Sequence, residues 1–128
     1  MTPRRPRVFI VNEPLKFDTE ADEHVRFIDL EPASEHGDLV FLLPPGRQPA
    51  DPEASLPRLR AGLADFSEDD FLMTVGDNVL VLCAAVIAAA RTGGRLKVLK
   101  WVKARSRHRI VPVDLFPAAN AALTGGRR

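Results

Sequence analysis

The stretch that decides the fold is "FLMTVGDNVLVLCAAVIAAARTGGRLKVLKWVK", residues 71–103. Its first five residues, 71–75, are apolar apart from Thr74 and have strand length. Gly76-Asp77 then breaks the run. Twelve apolar residues follow without interruption, Val79–Ala90, and five of them are alanine. That length and composition predict a helix over 78–91, and Gly93-Gly94 supplies its stop. "RLKVLKWVK" (95–103) predicts a second strand. The unit therefore reads strand–helix–strand, which places the two strands parallel.

Working toward the N-terminus, "DLVFLL" (38–43) predicts another buried strand, stopped by Pro44-Pro45-Gly46. A helix is expected next. Asp51 is the N-cap, Pro52 takes the first helical position and Glu53 lies in the first turn. Leu56, Leu59, Leu63 and Phe66 recur at spacings of three and four. "RVFIV" (7–11) predicts a nearly fully buried strand. Residues 13–24 read as an acidic loop. "VRFIDL" (25–30) alternates weakly and reads as an edge strand, and 31–37 as one helical turn closed by Gly37.

Toward the C-terminus, "RIVPVDL" (109–115) pairs back on 95–103 through "ARSRH", and Pro112 makes it an edge. The predicted fold class is α/β: a short, mainly parallel sheet with two crossover helices and an antiparallel C-terminal edge hairpin. One domain is expected over 1–128, with a basic arm (1–6) and a frayed tail (117–128).

The 128 residues are 45% hydrophobic and 27% charged, enough for one core. The single cysteine, Cys83, excludes an internal disulfide and suits a reducing compartment. It reads as a small buried hydrophobe. No secretory signal is visible, and Val79–Ala90 is too short for a membrane span, which needs ~20 residues. A cytoplasmic protein is the expectation.

The net charge of +1 hides a segregation. Residues 1–12 carry three basic side chains and no acid. Residues 13–77 carry sixteen acidic and five basic side chains, and residues 78–128 ten basic and one acidic. Such asymmetry predicts either a bipolar surface or halves that neutralise each other.

Gly76-Asp77-Asn78 sits where α/β proteins bind ligands, beyond the carboxyl end of a strand and at a helix N-terminus. Arg47 is the one basic residue expected at the same sheet edge. Against a ligand, the Asp77 carboxylate already serves the free N–H groups of the helix and repels anions. The loop has one glycine and no lysine, unlike a phosphate-binding loop. Capping is the simpler role. Asp69 and Asp70 precede the strand, ~17 Å of extended chain from Asp77, so these three aspartates make no metal site. His24, His36 and His108 have no metal-ligand spacing. No cofactor or metal is expected, and no nucleophile–base pair is legible.

The C-terminal hairpin is more specific. Arg95, Lys97, Lys100, Lys103, Arg105, Arg107 and Arg109, with His108 when protonated, surround Trp101, the one tryptophan, and no acid intervenes. Strand alternation places Arg95, Lys97, Leu99, Trp101 and Lys103 on one face. Cations for phosphates and an aromatic for a base make a nucleic-acid surface. The competing reading packs Leu99 and Trp101 into the core and neutralises the lysines with the acidic half.

The helix 78–91 is apolar all round, so it needs cover on more than one side. Either the acidic segment 13–37 drapes over it or a second copy does. Ala84, Ala85, Ala88, Ala89 and Ala90 would permit close packing in a homodimer.

"LADFSEDDFLMTVGDNVLVLCAAVIAAARTGGRLKVLKWVKARSRHRIVPVDL", with "DLVFLLPPG", resembles a small protein type of bacteriophages and prophages. That type has a short Asp-aromatic segment, a strand ending in Gly-Asp, an alanine-rich helix and a Lys-Trp hairpin. The resemblance implies no site residues. Where the type has Gly-Asp-Pro, this chain has Gly76-Asp77-Asn78. Proline at the first helical position agrees with capping.

The functional expectation is a non-enzymatic accessory module whose basic hairpin binds nucleic acid or an acidic protein. The alternatives are a small-ligand or nucleotide-binding protein using Gly76, Asp77, Asn78 and Arg47, and a subunit that dimerises through the apolar helix.

Overall fold

The computed structural model describes residues 4–124. Five strands form one sheet in the order β4-β1-β5-β6-β7. These are β1 (Arg7–Ile10), β4 (Asp38–Phe41), β5 (Phe71–Met73), β6 (Arg95–Val102) and β7 (Arg107–Asp114). The first four run parallel and β7 returns antiparallel along β6. The α/β class, the mainly parallel sheet and the C-terminal edge hairpin are as the sequence predicts. Pro112 lies on the edge strand β7, opposite Lys97, where its missing N–H costs no ladder bond.

The central strands read as unbroken apolar runs because both faces are covered. On one face Phe9, Leu72 and Leu96 pack beneath α1 (Leu56–Gly62) and α2 (Asn78–Thr92) with Leu59, Leu63, Leu80 and Ala84. On the other, Val8, Ile10, Phe71, Met73 and Leu99 pack under Leu30 and Ala33, which belong to the segment containing a 3-10 turn (Glu31–Glu35). Each fully buried Leu, Ile or Phe contributes about 1.5–3 kcal/mol. Residues 28–36 therefore cover the face opposite α2 and do not drape over that helix.

Three local expectations need correction. Residues 13–24 are not all loop: β2 (Leu15–Asp18) and β3 (Glu23–Arg26) form a separate antiparallel pair. "VRFIDL" contributes only Val25 and Arg26 to it. The helix predicted from Asp51 is split. Asp51 caps a 3-10 turn (Pro52–Ala54), accepting from the Glu53 N–H, and α1 begins at Leu56. Pro57 has no N–H for a continuous first turn, so the chain restarts there. The tail is not frayed throughout, because Pro117–Thr124 forms α3. Asn120 is buried there and donates to Asp114 Oδ1 (2.6 Å) and to the Gly93 carbonyl (3.3 Å). Residues 1–3 and 125–128, the ends of the predicted arm and tail, lie outside the described residues.

The strand order defines a reversal point. The chain leaves β1 across one face to reach β4, then returns across the helix face through α1 to β5 on the other side of β1. The crevice beyond the carboxyl ends of β1 and β5 is the topological switch point of this sheet. Among the described residues, no helix is long and apolar enough to cross a membrane.

Candidate functional site

Two regions at the carboxyl edge of the sheet collect the residues singled out by the sequence. The first is the switch-point crevice, about 580 Å³, where Gly76, Asp77 and Arg47 meet Asn12, Leu15 and Gln48. Asn78 begins α2, exposed to solvent, and does not line the crevice. The Asp77 carboxylate accepts from the N–H groups of Val79 (3.0 Å) and Leu80 (3.1 Å). The Asp77 N–H donates to Asn12 Oδ1 (2.9 Å), and Asn12 Nδ2 donates to the Gly46 carbonyl (3.1 Å). Gly76 has φ +132°, and a Cβ there would lie 2.5 Å from Asn12 Oδ1. The turn is thus accounted for by a cap and by a close backbone approach to Asn12. Arg47 is exposed on the rim.

The amino edge carries the acids expected there. Asp70 is fully buried and accepts from the Arg7 N–H, the Arg7 and Arg4 guanidiniums and the Ser67 N–H. Burial alone would raise its pKa. The hydrogen bonds from Arg7 and Ser67 outweigh that and hold it below the usual carboxylate range. Arg4 and Arg5 also pair with Asp65 and Asp38. The described part of the basic arm is therefore docked onto the acidic middle of the chain through Asp38, Asp65 and Asp70.

The second region is the β6–β7 ribbon. β5 pairs with β6 only at Leu72↔Val98 and Met73↔Leu99, whereas β6 and β7 pair over eight residues each. Residues 100–109 therefore overhang the sheet. A short 3-10 turn (Lys103–Arg105) and Ser106, with φ +46°, close the tip.

The structure redistributes the predicted basic set. Arg95 pairs with Glu68 (3.6 Å), and the Lys97 ammonium lies 4.6 Å from the Phe71 ring centre. Both are tied to the body. Lys103 is in the tip turn, so it does not share a strand face with Trp101. The face carrying Trp101 is consequently not the cation-rich one. Lys100 lies directly across from Arg109, and Val102 across from Arg107. Lys100, Lys103, Arg105, Arg107 and Arg109 are exposed, and none has an ion-pair partner among the described residues. Like charges directly opposite each other on a ladder destabilise it. Trp101 is 44% exposed and packs edge-on to His108, with ring centres 4.9 Å apart.

Between the ribbon tip and the 3-10 turn 31–35 lies a cleft of about 800 Å³, lined by Glu35, His36, Arg105, Arg107 and His108 among others. Burial depresses the His108 pKa first, and the neighbouring His36 lowers it further, against the pull of Glu35. His108 Nδ1 is buried without a hydrogen-bond partner among the described residues. Sequence reasoning missed this cleft, because His36 and His108 meet only through the packing of the 3-10 turn on the sheet.

No curated protein and no solved structure matches the chain. The family described as phage Pam3 gp32-like protein matches residues 6–115, which include the sheet, both crossover helices and the whole ribbon. The phage-type resemblance read in the C-terminal half thus extends over most of the chain, which belongs to the phage Pam3 gp32-like family.

Proposed function

We propose that the protein is a non-enzymatic phage accessory module, acting in the cytoplasm, that binds nucleic acid through the overhanging β6–β7 ribbon. The observation that carries this reading is the set of five exposed cations without acidic partners, including the cross-strand pair Lys100 and Arg109. A polyanion relieves their mutual repulsion and gains their charge. The acids that are ion-paired support the reading, because Asp38, Asp65 and Asp70 are held by Arg4, Arg5 and Arg7 at the opposite edge and Glu13 and Glu68 by Arg26 and Arg95, none of them by the five ribbon cations. Trp101, 44% exposed on the other face of the ribbon, is not part of the cation cluster and carries no weight in this reading.

The test is fluorescence anisotropy of a labelled single-stranded oligonucleotide at low salt. Lys100→Ala, Arg105→Ala and Arg109→Ala combined should weaken binding strongly and flatten its salt dependence. Arg58→Ala, an exposed cation on α1, should leave it unchanged. Equal binding by the triple variant and the parent defeats the reading. An acidic polypeptide that binds while nucleic acid does not would transfer the ribbon to a protein partner. The crevice at Gly76-Asp77 is less favoured for a ligand, since Asp77 already serves the helix terminus.

A further inference from the structure

We infer that the contact between His36 and His108 is a proton-sensitive latch, which holds the overhanging β6–β7 ribbon on the body and releases it in acid. Beyond Leu99, β6 pairs only with β7 among the described residues. A row of rings ties this overhang to the body. The Phe71 ring meets His36 with centres 5.9 Å apart, His36 meets His108 at 6.2 Å, and His108 meets Trp101 at 4.9 Å, each edge-on. Phe71 is buried in β5, and His36 caps the C-terminal end of the 3-10 turn 31–35. The row therefore runs from the core, through the turn, to both strands of the ribbon. Beside it, the cleft of about 800 Å³ separates the tip residues Arg105 and Ser106 from the turn.

The latch is closed while His108 is neutral. Its buried Nδ1 has no partner among the described residues. A proton there would make an N–H donor that meets neither an acceptor nor water. Two charged imidazoles would also repel each other. Glu35, from the turn, is the one acid bordering the cleft. Arg105 from the tip and Arg107 and Arg109 from β7 border it too. From β6, Trp101 brings no charge, and Lys97 lies over the Phe71 ring at the far end of the row. Burial first, and His36 second, outweigh the pull of Glu35, so docked His108 titrates below the ordinary histidine value of 6.5. On release it regains that value. The released form binds the proton more tightly. The latch is thus intact above the ordinary value and loosens as pH falls from there through the docked value.

Two readouts on the full chain test this, and both concern the free protein, whatever the ribbon binds. Trp101 fluorescence reports the proton, because an imidazolium against the indole quenches it. Hydrogen exchange, corrected for the intrinsic pH dependence of each amide, reports release, because a two-stranded ribbon without support is marginal in water. The fluorescence should fall with a midpoint below the ordinary histidine value. Over the same interval, protection of residues 31–36 and 100–109 should drop by about tenfold for each pH unit between the docked and ordinary values, while β1 and β5 keep theirs. His108→Phe keeps a ring against Trp101 but takes no proton, and its protection should stay constant. Protection in 100–109 that holds steady while the parent's fluorescence steps overturns the proposal, whether or not that variant folds. So does a drop that persists in His108→Phe, or one that β1 and β5 share.

Discussion

Asp70→Asn measures how firmly the basic N-terminal segment is locked to the acidic middle. The Asp70 side chain has no solvent exposure and that of Arg7 only 17%. Its carboxylate oxygens receive bonds from Arg7 N, Arg7 Nη2, Arg4 Nη2, Ser67 N and Ser67 Oγ, all between 3.0 and 3.3 Å. Asparagine keeps the shape but turns one acceptor into a donor facing other donors. It also leaves the Arg7 guanidinium with only exposed Asp65 as an acidic partner. Breaking one side of a buried, hydrogen-bonded charge pair costs about 3–5 kcal/mol. For a domain of this size, each kcal/mol lowers Tm by about 3–5 °C. A thermal melt at neutral pH should therefore show a fall of roughly 10–20 °C. The sign with pH follows from the depressed folded pKa of Asp70. Its contribution is full above the unfolded carboxylate range and is lost as pH falls through the folded value. Parent and variant stabilities should converge as pH falls through that folded value. A loss under about 1 kcal/mol at pH 7, or a gap that does not narrow in acid, would refute the argument.

Other consequences are smaller. Asp77→Ala removes the cap of α2 and should destabilise the fold by about 1 kcal/mol in chemical denaturation. If the turn has no ligand role, that variant should bind oligonucleotide like the parent. His108 should titrate below the ordinary histidine value by NMR, and His36→Ala should move it upward, because the charge of His36 disfavours protonation of His108.

The sequence exposed the elements whose burial is two-sided. β1 and β5 stood out as apolar runs, and α2 by its length between Gly76-Asp77 and Gly93-Gly94. The β2–β3 pair was hidden for the opposite reason. Phe17 is 50% exposed and no face of the pair is buried, so the residues carry no alternation. The pair is held by its own ladder, by the Phe17–His24 ring contact and by a turn in which Asp18 accepts from the Glu20 N–H. α3 was invisible because eight alanine-rich residues do not make a stable helix alone. Its anchor to the body, the bond from Asn120 to the Gly93 carbonyl, is a long-range contact. The basic hairpin was legible as a charge run, but its division was not. Which cations are tied down depends on Glu68 and Phe71, far away in sequence.

The salt dependence of oligonucleotide binding tests the central claim most directly. If Lys100, Lys103, Arg105, Arg107 and Arg109 each meet a phosphate, the slope of log K against log salt for a single strand is about −3.5. Affinity should then drop by about two orders of magnitude between roughly 50 and 200 mM salt. A slope shallower than about −1, or no binding at the lowest salt, would contradict a ribbon that works through its five free cations.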